Sequence, residues 1–303
     1  MKAAVVGMGS IGARHARILS ELGCEVVVVS KRRNNQFPVF DLVGDLLDHD
    51  RPDYVVIASA TAEHWSTLEE LAARQYTGVV LVEKPLFDTP RELPAMPDAK
   101  VYVGYNLRFH PVLQALSARI ENERVLSVQI YVGQYLPDWR PGTDYASSYS
   151  ASRARGGGVL RDLSHELDYT CWLFGQWRAV AGIVGHFSSL AIDSEDTVGL
   201  LMETEECPVV SIQMNYLDRA SRREITINTD TGTLKVDLVR GELIDDGEVT
   251  AIKVVRDATY RAQHAAVLDG DHRMLCTAEE GLETVRLIGA LEEASRTRQW
   301  IHR

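Results

Sequence analysis

The chain has few cysteines, few aromatic residues and no long hydrophobic run. Only four of its 303 residues are cysteine, and aromatic residues make up 7%. Cys24, Cys171, Cys207 and Cys276 are too widely spaced for a zinc-binding motif or a redox pair, so we expect reduced thiols. No apolar stretch approaches the roughly 18 residues that a membrane-spanning helix needs.

Basic residues are outnumbered by acidic ones: the chain has 32 Lys and Arg residues and 43 Asp and Glu residues, which gives a formal net charge of −11. Nucleic acids are bound by extended basic faces, which this composition does not favour. The N-terminus lacks the basic region and apolar core of a secretory signal. We therefore expect a cytoplasmic protein with no nucleic-acid partner and no membrane partner, long enough for two domains.

The first segment, KAAVVGMGSIG, is a short apolar run that breaks into glycines with G-x-G-x-x-G spacing. Around it we predict a strand, a helix from Ala13 to Leu22 and a second strand from Glu25 to Ser30. This arrangement is typical of a dinucleotide site, with the pyrophosphate at the helix N-terminus. A glycine-rich turn without a ligand is the alternative. The predicted contacts are Gly7, Gly9, Ser10, Ile11 and Gly12.

The end of the second strand indicates which dinucleotide binds. NAD-specific proteins usually place an acidic residue there, whereas a cation accommodates the 2′-phosphate of NADP. This chain has Ser30, Lys31, Arg32 and Arg33 at that position. The sequence therefore predicts that NADP is preferred over NAD, with a solvated basic loop as the alternative interpretation.

Strands and helical patterns alternate over the first hundred residues, which is typical of a doubly wound parallel sheet. The helix that follows the third strand has Thr61 in a position suited to an N-cap. The predicted strands are Ala3 to Val6, Glu25 to Ser30, Tyr54 to Ala58, Val79 to Val82 and Val101 to Gly104.

From about Val125 the chain alternates apolar and polar residues with period two, which indicates antiparallel strands. A long amphipathic helix is predicted from Ala278 to Ser295. The expected fold class is α/β, with an N-terminal Rossmann domain over residues 1–106. Residues 107–303 are expected to form a second, α+β domain with a large, open, mainly antiparallel sheet.

Three further segments make the pattern specific: Glu83-Lys84-Pro85, GYNLRFHP at 104–111 and GGGVLRDLSHELDYTCWLFG at 156–175. With the glycine fingerprint they resemble the glucose-fructose oxidoreductase, inositol dehydrogenase and MocA family of NAD(P)-dependent oxidoreductases. The resemblance follows the whole chain in order. It implies a Rossmann domain, an open-sheet domain and a substrate between the nicotinamide and that sheet.

The resemblance also implies site residues. The family lysine corresponds to Lys84, and the acid and histidine of its G-G-G-x-L-x-D-x-x-x-H segment correspond to Asp162 and His165. Two residues separate Asp162 from His165, whereas the family usually has three. Both spacings keep two side chains on one helical face.

We expect His165 to act as acid and base, Lys84 to stabilise alkoxide charge and Asp162 to orient the imidazole or bind a hydroxyl. Further expected cofactor contacts lie near the third and fourth strand ends. Substrate contacts are expected from the R-F segment, the active-site helix and the aromatic loop at 136–158, where Arg140 and Tyr145 are weaker candidates. The cofactor set adds Ser59, Thr61, His64, Glu83 and Lys84, and the substrate set is Asn106, Arg108, Trp139, Tyr149, Asp168 and Tyr169.

The predicted function is hydride transfer between NAD(P) and a sugar, a sugar derivative or a cyclitol, without a metal. The DLSHELDY segment resembles family members associated with bacterial surface-sugar pathways, including nonulosonate synthesis, which implies a substrate of that kind. An NAD-dependent glycosidase and a non-catalytic cofactor-sensing regulator are the alternatives. Because one sheet face needs a cover, we expect a homo-dimer or homo-tetramer.

Overall fold

The computed structural model describes residues 1–32 and 36–303. Its contacts divide the chain into two compact units. The first unit contains Met1–Phe109 and Asp257–Val285, and the second contains His110–Arg256 and Arg286–Arg303.

The first unit begins with alternating strands and helices, as the sequence predicts. Most predicted strand ends agree within one residue, but the first helix begins at Ser10 rather than Ala13, because Gly9 already has the extended backbone of an N-cap. The third helix has Ala60 as its N-cap, so the prediction for Thr61 was one residue late. The elements are β1 (Lys2–Val6), α1 (Ser10–Glu21), β2 (Glu25–Val29), β3 (Val39–Phe40), α2 (Val43–His49), β4 (Tyr54–Ile57), α3 (Thr61–Ala73), β5 (Val79–Val82) and β6 (Lys100–Val103).

The second unit contains most of the remaining strands. Its elements up to residue 251 are α4 (Pro111–Ile120), β7 (Val125–Gly133), α5 (Val159–Asp162), α6 (His165–Phe174), β8 (Trp177–Gly185), β9 (Thr197–Thr204), β10 (Val210–Asn215), β11 (Arg222–Thr229), β12 (Thr233–Asp237), β13 (Glu242–Asp245) and β14 (Glu248–Ala251). The last elements of the chain are shared between the two units, since Asp257–Val285 belongs to the first and Arg286–Arg303 to the second. They are α7 (Ala258–Leu268), β15 (Cys276–Thr277), α8 (Ala278–Thr297) and β16 (Ile301–His302).

The sheet of the first unit has the strand order β15-β6-β5-β4-β1-β2-β3. Neighbouring strands from β6 to β3 pair in parallel, and β15 adds an antiparallel edge. Valine-rich strands such as β2 and β4 are buried because helices cover both faces of a doubly wound sheet. The carboxyl ends of β1, β2, β4 and β5 therefore lie at one sheet edge, where such folds bind ligands.

The sheet of the second unit has the order β14-β13-β12-β11-β7-β10-β9-β8-β16. Only the β7–β10 pair is parallel among its paired strands in the described part of the chain. Along β9, buried and exposed side chains alternate. The fold class predicted from the two periodicities is thus confirmed.

The domain boundary differs from the prediction in one respect. The contacts change units after Phe109, close to the predicted boundary at residue 106, but Asp257–Val285 returns to the first unit. There α7 packs against α1, and β15 pairs with β6. Assignment of all residues after 106 to a second domain is therefore revised.

Candidate functional site

The glycine loop connects β1 to α1, and its backbone requires glycine at two positions. Gly7 has φ +94°, a conformation that favours glycine. A Cβ on Gly12 would lie 1.8 Å from the carbonyl oxygen of Gly7, so α1 starts too close to the loop for any side chain there. These two positions set the turn and the close helix–strand approach.

The same loop fits a dinucleotide pyrophosphate. Within the described part of the chain, a Cβ on Gly9 would meet no atom within 4 Å, and no side chain caps the first turn of α1. The N–H groups around Ser10 and Ile11 are therefore available to phosphate oxygens. After β4, the buried Ser59 hydroxyl has no hydrogen-bond partner among the residues that the structure describes. These features suit a bound dinucleotide.

The end of β2 carries no carboxylate over residues 30–32. The Ser30 hydroxyl accepts a hydrogen bond from the Arg32 N–H at 3.0 Å, while the Lys31 and Arg32 side chains are exposed. Arg33, the third predicted cation, lies outside the described residues.

Lys84 follows β5 at the sheet edge used by the glycine loop and is half-buried. The preceding Glu83 is buried, and its carboxylate accepts a hydrogen bond from His15 at 2.8 Å. The predicted role of Glu83 as a direct cofactor contact therefore changes, because its carboxylate is directed into the protein.

Two more predicted cofactor residues lie on α3. Thr61 is buried at the start of the helix. The buried His64 ring lies within 3.3 Å of the carbonyl oxygens of Ser59, Pro85 and Leu86. His64 thus ties the loop after β4 to the segment after β5. Burial lowers the pKa of His64 from its ordinary value.

The predicted substrate residues of the R-F segment are both buried in the first unit. The Asn106 amide donates to the Thr259 hydroxyl at 2.7 Å. The Arg108 guanidinium pairs with Glu280 at 3.1 Å. Arg108 thus takes part in a partly buried ion pair, and neither side chain is placed as an open substrate contact.

In the second unit, Asp162 and His165 do not share one continuous helix. Asp162 ends α5 and His165 begins α6, with Leu163 and Ser164 between the two helices. The expectation of a common helical face was therefore wrong. Asp162 instead accepts a 2.6 Å hydrogen bond from the buried Tyr216 hydroxyl. Burial and the neighbouring Asp162 charge raise the pKa of Tyr216, which keeps its hydroxyl a donor.

His165 is half-buried at the N-terminus of α6, whereas the following turn is buried. Glu166 accepts two hydrogen bonds from Arg223, at 2.7 and 3.1 Å. The Tyr169 hydroxyl lies 3.4 Å from the same carboxylate. Asp168 and Tyr169, two of the predicted substrate contacts, are both buried.

The aromatic loop before α5 is held largely by its own contacts. The Tyr149 hydroxyl donates to the Gly156 carbonyl at 2.8 Å, and Tyr145 accepts from the Ala191 N–H. The Arg140 carbonyl accepts from the Thr143 hydroxyl. Trp139 packs edge-on against Tyr216, the residue that holds Asp162. Among the predicted substrate residues of this loop, Trp139 therefore contacts the tyrosine that hydrogen-bonds to Asp162.

Sequence reasoning missed Tyr216, Arg223 and the buried partners of Glu83. None of them belongs to a recognisable motif, and each contacts a motif residue far away in sequence. In the described ranges, 1–32 and 36–303, no group of three or more His, Cys, Asp or Glu side chains is arranged to hold a metal ion. No helix within these ranges has the length and apolarity to cross a membrane.

Comparisons with known proteins agree with this geometry. A sequence profile described as the oxidoreductase family with an NAD-binding Rossmann fold matches residues 1–101. The profile of the GFO/IDH/MocA C-terminal domain matches residues 113–235.

Individual relatives show the same similarity. The rhizopine catabolism protein MocA of Rhizobium meliloti is 30% identical over 188 residues, which cover 57% of this chain and 56% of that protein. Levoglucosan dehydrogenase of Pseudarthrobacter phenanthrenivorans is 29% identical over 143 residues, or 45% of this chain and 37% of that protein. The chain thus spans about half or less of the length of these relatives.

The fold also resembles a solved structure. The WlbA dehydrogenase from Bordetella pertussis, in complex with NADH and UDP-GlcNAcA, superposes with a TM-score of 0.82 at 22% identity, covering 100% of this chain and 98% of that one. Both sequence profiles match in chain order, and the two sheets match the predicted fold. The chain therefore belongs to the Gfo/Idh/MocA family of oxidoreductases.

Proposed function

We propose that this protein is a nicotinamide-dependent dehydrogenase acting on a CH–OH group of a sugar, a sugar derivative or a cyclitol. The observation that carries the proposal is the position of Lys84. It follows β5 at the sheet edge where the glycine loop follows β1. A cation beside a dinucleotide site suits a reaction that develops negative charge on oxygen.

A bound nicotinamide would supply the hydride acceptor for alcohol oxidation and the hydride donor for the reverse reaction. When the alcohol is oxidised, the hydroxyl proton passes to the His165 imidazole, because histidine is the side-chain type best suited to accept and return a proton. The Lys84 ammonium stabilises the alkoxide charge that develops as the proton leaves. Asp162, held by Tyr216, orients the imidazole or binds another hydroxyl.

NADP is the proposed cofactor in preference to NAD. The support is the absence of a carboxylate over residues 30–32 and the exposed Lys31 and Arg32 side chains in that stretch. A guanidinium is suited to phosphate oxygens, which NADP offers at its 2′ position and NAD does not.

The proposed substrates include the activated and acidic sugars of bacterial surface polysaccharides, including nonulosonate-type sugars. The support is the DLSHELDY segment and the fold similarity to WlbA dehydrogenase, whose complex contains UDP-GlcNAcA. A cytoplasmic location belongs to the same proposal, supported by the small number and wide spacing of the cysteines in the sequence.

We also propose that copies of this chain associate through the second unit. The face of its sheet that carries Ile183 and Leu201 leaves both side chains about half exposed, at 49% and 50%. A second copy covering this face would bury that apolar surface.

The test is a fluorescence titration with NADPH and NADH, followed by a turnover screen over sugars, cyclitols and nucleotide sugars. In Lys84→Ala and His165→Ala, we expect turnover to fall about a hundredfold or more with NADPH affinity within about twofold. Asp162→Asn should lose less, and Arg124→Ala, an exposed change in the second unit, serves as the control. Near-normal turnover in His165→Ala would remove His165 as the acid and base.

A further inference from the structure

Four polar side chains form a continuous buried network beneath the segment that carries Lys84. The Tyr54 hydroxyl lies 2.9 Å from His264 Nδ1, and His264 Nε2 lies 2.7 Å from His15 Nδ1. His15 Nε2 lies 2.8 Å from Glu83 Oε1. Tyr54, His15 and His264 have no exposed surface, and Glu83 is 8% exposed. We call these four residues the buried histidine network.

The network joins four separate elements of the first unit. Tyr54 begins β4, His264 lies on α7, His15 lies on α1 and Glu83 follows β5. The rings of His15 and His264 meet edge to face with centroids 4.9 Å apart. Such packing leaves little room for rotation, so the hydrogen-bond geometry is held by the fold.

The positions of the protons follow from the partners at the two ends. At one end, burial raises the pKa of Glu83, but the His15 hydrogen bond and the nearby Lys84 charge help to outweigh this, so the pKa lies below its ordinary value and the group is a carboxylate. At the other end, burial raises the pKa of Tyr54 well above its ordinary value, so its hydroxyl keeps the proton. Burial also lowers the pKa of His264 well below its ordinary value, which leaves that ring neutral.

A continuous order of donors satisfies every bond. Tyr54 O–H donates to His264 Nδ1, His264 Nε2–H donates to His15 Nδ1, and His15 Nε2–H donates to the Glu83 carboxylate. In this order the neutral His264 ring carries its proton on Nε2. Reversing every bond with the same number of protons would move the negative charge from Glu83 to Tyr54, which the fully buried phenol disfavours.

The far side of the Glu83 carboxylate contacts the reactive segment. Its Oε2 accepts the backbone N–H of Lys84 at 3.3 Å. A Cβ on the neighbouring Gly104 would lie 3.0 Å from Oε1, so the carboxylate is closely packed. Glu83 is thus held by His15 on one oxygen and holds the Lys84 backbone with the other.

We propose that Tyr54, His264 and His15 are positioning residues for the dehydrogenase reaction, because their ordered protons fix Glu83 and through it the Lys84 segment. The proposal rests on the proposed function, since Lys84 acts there on the substrate oxygen. A displacement of the reacting group by about an ångström lowers turnover strongly without removing binding. The network therefore acts on kcat rather than on cofactor affinity.

The first experiment reads the proton positions without using activity. In protein labelled with ¹⁵N-histidine, we assign the His15 and His264 signals by their loss in His15→Gln and His264→Gln. The His264 ring should be neutral with the proton on Nε2 at neutral pH, and Tyr54→Phe should shift its signals away from that pure tautomer. An imidazolium signal or the Nδ1–H tautomer for His264 would overturn the proposal whether or not a substrate is known.

The second experiment measures coupling to the reaction with a substrate found by the turnover screen. Tyr54→Phe and His264→Leu should lower kcat about tenfold with substrate KM and NADPH affinity within about twofold. His264→Gln should recover part of the loss, because its amide can donate to His15 Nδ1. If His264→Leu does not fold, Tyr54→Phe, which removes one oxygen atom, decides the outcome.

Tyr76→Phe is the matched control. Tyr76 is a buried tyrosine of the same unit whose hydroxyl donates to the Pro52 carbonyl at 3.0 Å, outside the network. It should lose stability without losing kcat. Equal kcat losses in Tyr54→Phe and Tyr76→Phe, or unchanged kcat in Tyr54→Phe, would overturn the positioning role. Failure of every substrate in the screen would instead count against the proposed function and leave the histidine signals to decide the proton order.

Discussion

The three glycines of the G-x-G-x-x-G fingerprint are subject to different structural constraints. Gly7 is required by its positive φ and Gly12 by the close approach of the Gly7 carbonyl. Gly9 faces open space on the side where a pyrophosphate would lie. At the scale of single residues, folding therefore depends on two of these positions and ligand binding depends on the third.

Gly9→Ala should separate these roles. Because a Cβ there meets no protein atom within 4 Å, we expect the unfolding free energy to fall by no more than about 1 kcal/mol. NADPH affinity should fall about tenfold or more, since the Cβ would occupy the approach to the phosphates. Gly12→Ala should instead disrupt the fold, and Gly199→Ala, also free of contacts, should leave cofactor binding unchanged. Titration and thermal unfolding check both effects, and undiminished NADPH affinity in Gly9→Ala would contradict this reading.

Cofactor choice is a second property of single residues. Arg32→Ala should weaken NADPH binding about tenfold and NADH binding less than twofold, because one charge-assisted phosphate contact is lost. Arg51→Ala, an exposed arginine of the same unit, should change neither affinity. The two dissociation constants are measured by nicotinamide fluorescence. Tighter NADH than NADPH binding by the unmodified protein would refute the preference.

At the scale of elements, helix starts depend on groups that a sequence pattern does not reveal. The α4 helix begins after His110, whose Nδ1 accepts the Val112 N–H at 3.3 Å. Burial, with the nearby Arg223 charge, lowers the pKa of His110 from 6.5 to about 4. The cap therefore works with a neutral imidazole in the folded state.

The sign of the resulting pH dependence is set by where the proton binds. The unfolded chain protonates His110 below pH 6.5, whereas the folded chain resists protonation until about pH 4, so stability is lost as pH falls through that window. The contribution is on the order of 3 kcal/mol. His110→Asn keeps a capping oxygen without the titration, so its unfolding free energy should fall less between these pH values. Urea unfolding of both proteins at several pH values checks this, and identical pH profiles would contradict it.

At the scale of the whole molecule, the second unit presents one sheet face with alternating exposed side chains. We expect light scattering to give twice or four times the mass of one chain at micromolar concentration. Leu201→Arg should reduce this to the mass of one chain, because it places a charge in the apolar face. Val249→Arg, an equally exposed position on the edge strand β14, should not. A monomeric unmodified protein would refute the association.

The sequence alone determined the features that depend on local spacing. The period-two and helical patterns predicted both sheets, because they state which side of an element is buried. The glycine fingerprint and Glu83-Lys84-Pro85 predicted a cofactor site at one edge of the first sheet for a related reason, since the carboxyl ends of parallel strands meet there. The start of α1 and the cap of α3 were misplaced by a few residues, because cap conformation depends on the backbone rather than on composition.

Only the tertiary structure decided which polar groups meet. His15 contacts His264 across 249 positions, and Asp162 contacts Tyr216 across 54, and neither separation follows any helical or strand period. The return of Asp257–Val285 to the first unit places His264 in the network, so no prediction with a single domain boundary could find it. Packing between distant segments likewise buries Glu83, Arg108 and Tyr169. Motif spacing does not encode such packing.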